Sequence, residues 1–382
     1  MKLTKGTLID WGQQALLLIT VTLLFFYLGT NASENIAKLG ITTGFDFLGE
    51  RAGYDITFSL IDYDQNDTYL QAYYVGVANT LLVSFLSIGL ATIIGFIVGV
   101  GRVSKNWMVN RLSRAYVEFV RNVPLVVQLV WWYALFLSLP PVRSSIQLTD
   151  NIFLSNRGLA IPHLSLAGWG GYVFLSFLIS CILAFFYRRR VISKTKWTGF
   201  NPVLWPRLIA IVVSLPALVL IFTLLTGNFD YSTPKLAGFN FKGGMIVIPE
   251  LVALWIALSF YSASYIAEIV RGCIQSISKG QHEAGKALGF NDSAIMWKLI
   301  VPQAIYPMVP QITSVYLNII KNSSLGVVIG FMDLVASTGG TTLNNTGQAI
   351  ECILIVMGTY CLFSLVTSLL MNWYNSHVAI GK

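Results

Sequence analysis

The sequence predicts an all-α membrane protein of about eight transmembrane helices, and three observations carry that prediction. Of the 382 residues, 55% are hydrophobic and only 11% charged, where soluble domains carry roughly 25% charged residues; mean hydropathy is +0.67. Eight windows, near 11–29, 73–100, 114–139, 169–187, 207–226, 245–269, 304–321 and 349–373, are apolar enough to cross a bilayer. A span takes about 20 such residues to cross roughly 30 Å of hydrocarbon. Finally, basic and acidic residues segregate onto alternate loops.

The basic loops are 101–114 (Arg102, Lys105, Arg111, Arg114), 188–207 (Arg188, Arg189, Arg190, Lys194, Lys196, Arg207) and 271–303 (Arg271, Lys279, Lys286, Lys298). Lysine and arginine retained beside spans mark the cytoplasmic side. The loop 30–72 is acidic, with Glu34, Asp46, Glu50, Asp55, Asp62, Asp64 and Asp67 against Lys38 and Arg51, and so belongs outside. An even number of spans then leaves both termini cytoplasmic. The net charge of +8 follows from the same retention. With no basic stripe interleaved with exposed aromatics, no nucleic-acid partner is expected. Cys181, Cys273, Cys352 and Cys361 have neither metal-ligand spacing nor a place to staple an external loop, so no metal and no disulfide is expected.

Taken in order, residues 1–72 form an N-terminal helix and the external loop. The run Ala15–Leu28 follows Lys2 and Lys5 but lacks a small-residue cleavage site, and reads as a retained span. The Gly, Asp and aromatic content of 30–72 reads as a folded cap of turns or short helices. Residues 73–373 form the main membrane domain. Gly95 and Gly99 give the small-residue spacing that lets helices approach closely. Glu118 and Arg121 are three apart on one helix face, and ionisable groups at membrane depth face a bundle interior or a cavity. Pro124 bends the helix beyond them, since it lacks a donor. Residues 141–244 read as an insertion with two extra spans, contributing no acidic residue to a membrane core and suited to scaffolding or docking. Glu268 again lies three residues before Arg271. Lys321 is followed by LGVVIGFMDLVASTGGTTLNN, which holds an apolar piece too short to span and predicts a helix bent into the outer half of the bundle. Residues 374–382 form a cytoplasmic tail.

The loop 271–302 is a polar island between two spans. Its residues predict a turn at Gly280, a helix Glu283–Leu288, a stop at Gly289, a cap at Asn291 or Asp292 and a second helix Ser293–Ile300. Pro302 then begins the next span. Two short helices at an elbow give a narrow profile able to enter a groove on another protein.

Glu283-Ala284-Gly285, three residues, Gly289, nine residues, then Leu299-x-Val301-Pro302 resembles the EAA loop of ABC importer permeases (E-A-A-x3-G-x9-I-x-L-P). It departs by Gly285 for Ala, Leu299 for Ile and Val301 for Leu. SYIAEIVRGCIQSISKGQHEAGKALG, YVEFVRNVPLVVQL and IKNSSLGVVIG resemble the polar amino-acid subfamily. NIAKLGITTGFDFLGERAGYDI and the two inserted spans resemble the general L-amino-acid permease subunits. The resemblance covers nearly the whole chain. It implies a type I ABC importer transmembrane domain with cytoplasmic coupling helices, in the bacterial inner membrane. The implied partners are a second permease subunit (a related but different chain), two cytoplasmic ABC ATPases and a periplasmic amino-acid-binding protein. Glu283, Ala284, Gly285, Gly289, Leu299, Val301 and Pro302 would couple to the ATPase. The sequence holds no G-x-x-x-x-G-K-[ST] phosphate loop, so ATP and Mg fall to the partner, and this chain has no catalytic residue. Glu118, Arg121, Gln128, Glu268 and Lys321 are the candidate substrate pathway, where a carboxylate and a cation could hold the two ends of a zwitterion. The alternative, an ion-coupled secondary amino-acid transporter, requires broken helices repeated in two halves; a single elbow loop disfavours it. Which amino acid is carried is not written in the residues.

Overall fold

The computed structural model describes residues 5–39, 44–165, 170–198, 205–227, 229–238 and 240–378. Residues 40–43 of the resembling outer loop and 379–382 of the expected tail lie outside them. The expected all-α membrane architecture is observed. The long helices are α1 (Lys5–Leu39), α2 (Tyr69–Arg102), α3 (Trp107–Asn122), α4 (Leu125–Leu137), α5 (Gly170–Thr198), α6 (Trp205–Leu225) and α7 (Pro249–Ser276). After them come α8 (Lys279–Ala287), α9 (Asp292–Ile295), α10 (Val301–Asn322), α11 (Leu343–Thr346) and α12 (Ala349–Val378). Among the described residues seven helices are long and apolar enough to span, and the count reaches eight if α3 and α4 make one span. Those two are bent by 102°, so the continuous span expected over 114–139 is in fact broken. Pro124 cannot donate to the preceding turn, and Gln128 completes the break. Its Nε2 donates to the carbonyls of Val120 at 2.8 Å and Val123 at 2.9 Å, filling acceptors that a helix end leaves open.

The chain forms two compact units, residues 1–130 with 254–382, and residues 131–253. In the first, α2, α7 and α10 pack around Ala91, Ala263, Ile266, Val270, Ala304, Met308 and Ile319. Gly95 and Gly99 make the expected close approach. A Cβ at Gly95 would sit 2.6 Å from Ile266 Cβ, and one at Gly99 would sit 2.8 Å from the Ala267 carbonyl. The outer loop is the folded cap foreseen. It has a 3-10 turn at Asp46–Gly49 and a core of Phe47, Ala52, Ile56 and Tyr69 buried with Ala72, Val75 and Cys352. Thr68 and Gln71 then form a reciprocal capping box that starts α2.

Between α10 and α12 the chain does not form the bent α-helix expected. A 3-10 segment, Ser323–Ile329, ends at Gly330 with φ +82°, followed by a π-helical segment Val335–Thr342. The Phe331 N–H reaches Gly326 O at 3.0 Å and the Gly330 N–H reaches Val327 O at 3.2 Å, closing the turn that only a left-handed residue permits.

The second unit holds α5 and α6, which pack on each other, and a feature that hydropathy did not announce. Strands β1 (Ile146–Thr149), β2 (Ile152–Ser155), β3 (Gly158–Ile161) and β8 (Met245–Val247) form an antiparallel sheet in the order β1-β2-β3-β8. Two smaller pairs join β4 (His163–Ser165) to β5 (Asp230–Ser232), and β6 (Lys235–Ala237) to β7 (Asn240–Lys242).

Candidate functional site

The polar loop folds as an elbow. Helix α8 starts at Lys279, so Gly280 lies in its first turn instead of forming a separate turn, with the Gln281 N–H on Ser278 O at 3.1 Å. The stop is where the sequence placed it. Gly289 has φ +79°, with Phe290 N–H on Gly285 O at 3.0 Å and Gly289 N–H on Lys286 O at 2.9 Å. This paired bonding pattern satisfies the last carbonyls of α8. Asn291 Oδ1 accepts the Ala294 N–H at 2.8 Å and begins α9. The second short helix does not end at Ile300 as expected. A π-turn over Met296–Ile300 joins α9 to α10, and the span continues unbroken through Pro302. The longer register there passes over the donor that Pro302 lacks.

Gly285 is the point on which the elbow closes. It is buried, and a Cβ would stand 2.8 Å from Ile295 Cγ1 and 3.0 Å from Leu299 Cδ1. Leu299 and the buried Val301 therefore lie on the inner side, while at the surface Asp292 is ion-paired with the exposed Lys105 and stands 3.3 Å, through Oδ1, from His282 Nε2. Trp297 packs on Phe96 with ring centroids 6.2 Å apart. The outer side presents Glu283, Ala284 and Ala287 with Leu288, 75% exposed, and Phe290.

A second constellation lies on α2, α3 and α7. Arg102, Val117, Glu118, Arg121, Asn122, Tyr265 and Glu268 line a cavity of about 440 Å³. Three of the five predicted pathway residues, Glu118, Arg121 and Glu268, meet there. Glu268 is held by Arg102 from α2 and by Arg271 one turn along α7, whose Nε donates at 3.1 Å. The Arg121 guanidinium lies 5.0 Å from the centre of the Tyr265 ring, an attraction of the cation to the π face. The Tyr265 hydroxyl is 2.9 Å from that of Tyr261, and Tyr116 ties α3 to α7 by donating to Phe260 O at 2.7 Å. Gln128 is occupied at the helix break, and Lys321 is exposed in the last turn of α10; neither lines the cavity. Arg102 and Tyr265 were not foreseen. Arg102 reads in sequence as one more loop cation, and Tyr265 as one more aromatic in an apolar run, although Tyr261 and Tyr265 sit four apart on one face. Chemically the cavity offers one carboxylate and one guanidinium outside the Glu268 triad, in a setting with balanced formal charge.

Comparison with known proteins agrees with these features. The family described as "Binding-protein-dependent transport system inner membrane component" matches residues 203–380. The putative amino-acid ABC transporter permease protein YhdX of Escherichia coli is 42% identical over 386 residues, covering 100% of this chain and 96% of its own length. The general L-amino acid transport system permease protein AapQ of Rhizobium johnstonii is 41% identical, covering 96% of this chain and 91% of its own. The glutamate/glutamine/aspartate/asparagine transport system permease protein BztB of Rhodobacter capsulatus is 37% identical, with 95% and 93% covered. With whole-length identity at this level, a spanning bundle and an elbow loop, the chain belongs to the amino-acid ABC permeases among the binding-protein-dependent inner membrane components, and is a multi-pass transporter subunit of the inner membrane.

Proposed function

We propose that this chain is the permease subunit of an ATP-driven type I importer for amino acids. It builds the translocation pathway with a second permease subunit, receives substrate from an external binding protein, and is driven through its elbow by a separate ATPase that binds ATP and Mg. The observation that carries the reading is the two-faced elbow. Its inner side is closed by the approach of Gly285 to Ile295 and Leu299, while Glu283, Ala284, Ala287, Leu288 and Phe290 face outward. An apolar tip beside a carboxylate, on a short stiff helix, suits insertion into a groove of a soluble partner. Glu118 and Arg121 in the cavity would meet the ammonium and carboxylate of a passing amino acid. Glu268 keeps the cavity wall in register by holding two arginines.

The test is reconstitution with the ATPase and binding protein. Glu283→Lys reverses the charge on the outward face, and Gly289→Asp forces a side chain into a left-handed conformation at a cost of about 1–2 kcal/mol. Both variants are expected to lose ATPase copurification and ATP-driven amino-acid uptake while remaining folded in the membrane. Normal ATPase association together with substrate-coupled hydrolysis in both variants would refute the coupling role.

A further inference from the structure

The segment between α10 and α12 is irregular and polar, with Asp333, Ser337, Thr338 and Thr342 all buried. Non-helical backbone at membrane depth persists only where protein or water satisfies it, so what pins this segment matters. One pin is internal to the segment and two come from the spans α12 and α2. Asp333 Oδ1 accepts the Ala336 N–H at 2.9 Å, its Oδ2 accepts the Tyr360 hydroxyl at 3.2 Å, and Thr80 Oγ1 accepts the Leu334 N–H at 3.0 Å. Two more involve the outer cap. Asn79 of α2 donates its side-chain N–H groups to Phe58 O in the cap and Met332 O in the segment, each at 2.9 Å. Both acceptors are carbonyls, which fixes the amide's orientation, and its oxygen meets no donor among the described residues. Tyr54 of the cap places its hydroxyl 3.0 Å from Thr342 Oγ1 and 3.4 Å from Ser337 O. Burial holds the Tyr54 phenol above its ordinary range, so it keeps its proton to donate. Close fit adds to these bonds, because a Cβ at Gly76 would fall 2.3 Å from Ser337 Oγ.

We propose that Asn79 and Tyr54 are positioning residues for transport, tying the polar segment to the outer cap so that the segment shifts only when the cap is displaced. The cap exposes Asp46, Glu50, Asp55, Asp62 and Asp64, the surface a soluble partner would meet. This inference rests on the importer reading above, which supplies the partner that displaces the cap.

Cys352, fully buried in the cap core, reports the motion without a mutation. In the reconstituted complex it is labelled with a membrane-impermeant maleimide and quantified by peptide mass spectrometry, at rest and during turnover with ATP and loaded binding protein. Labelling is expected to be slow at rest and to accelerate in turnover. Tyr54→Phe keeps the ring but removes the hydroxyl, and is expected to raise both resting labelling and substrate-independent ATP hydrolysis about fivefold, the effect of losing one net hydrogen bond from one of two states. Asn79→Ala should do the same more strongly; if it fails to assemble, Tyr54→Phe alone decides. Equal Cys352 labelling at rest and in turnover, in a wild-type complex that transports, would overturn the proposal. So would wild-type basal hydrolysis in Tyr54→Phe. Absence of ATP-driven uptake by the wild type would overturn the importer reading and this inference together.

Discussion

Glu268 carries one negative charge between two guanidinium groups, and the three side chains are not equally wet. Arg102 is 12% exposed, against 30% for Glu268 and 28% for Arg271. Removing the carboxylate therefore strands Arg102 in a poorly hydrated site, which costs more than freeing Arg271 into a wetter one. Glu268→Gln is expected to lower stability by about 2 kcal/mol and Arg271→Gln by under about 1 kcal/mol, read by thermal unfolding of the purified protein. Equal effects would mean that Arg102 is solvated after all. A spacing of three made legible that Glu118 and Arg121 share one cavity wall and that Glu268 meets Arg271. Arg102 was not legible, because its partner lies 166 residues away and no local pattern encodes that meeting. Gln128 shows the opposite confusion. A polar residue in an apolar run looks like a pathway residue, whereas here its amide is taken up by two carbonyls at a helix end.

At the level of elements, the crossing of α2 on α7 is set by glycines that cannot be enlarged. The nearest atoms to a Cβ at Gly95 or Gly99 are branch-point carbons and backbone carbonyls, which move only with their helices. Gly95→Ala and Gly99→Ala are each expected to cost about 1–3 kcal/mol. Gly89→Ala, on the same helix with nothing within 4 Å, should be neutral or stabilise by up to about 1 kcal/mol. A denaturation series on the three variants checks this, and a neutral Gly99→Ala would remove the close-packing account. Each of the seven long apolar helices among the described residues overlaps a window that hydropathy marked, because a helix that meets lipid needs a long apolar stretch. Hydropathy could not give the 102° turn at Pro124, since proline announces a break and not its direction. It also passed over the strands β1–β8, whose runs of three or four residues are too short for alternation to register. The π-turn before Pro302 was hidden because a change of hydrogen-bond register leaves no trace in composition.

On the scale of the whole molecule, exposed charge of each sign is gathered in different parts of the chain. Asp46, Glu50, Asp55, Asp62 and Asp64 are exposed on the cap, and Arg189, Arg190 and Arg207 are exposed on α5 and α6. If those arginines face the cytoplasm, a fluorescent protein fused to the C-terminus will be fluorescent. In intact cells, Asp62→Cys will then react with an impermeant thiol reagent while Arg189→Cys stays silent. The reverse labelling pattern would invert the orientation. A consequence at this scale follows from the join between the elbow and the membrane. Because α9, the π-turn and α10 run on without a break from Asp292, the elbow is one end of a rod whose other end leads into Ser323–Ile329 and the polar segment beyond. At about 1.5 Å per residue that rod is about 46 Å long from Asp292 to Asn322. Pro307 and Pro310 lie inside α10 and each removes a donor from its ladder, so the rod carries two built-in points of flexure. Movement begun at the elbow would then divide between the bends at those prolines and the polar segment beyond Asn322, like a pull on a jointed fishing rod.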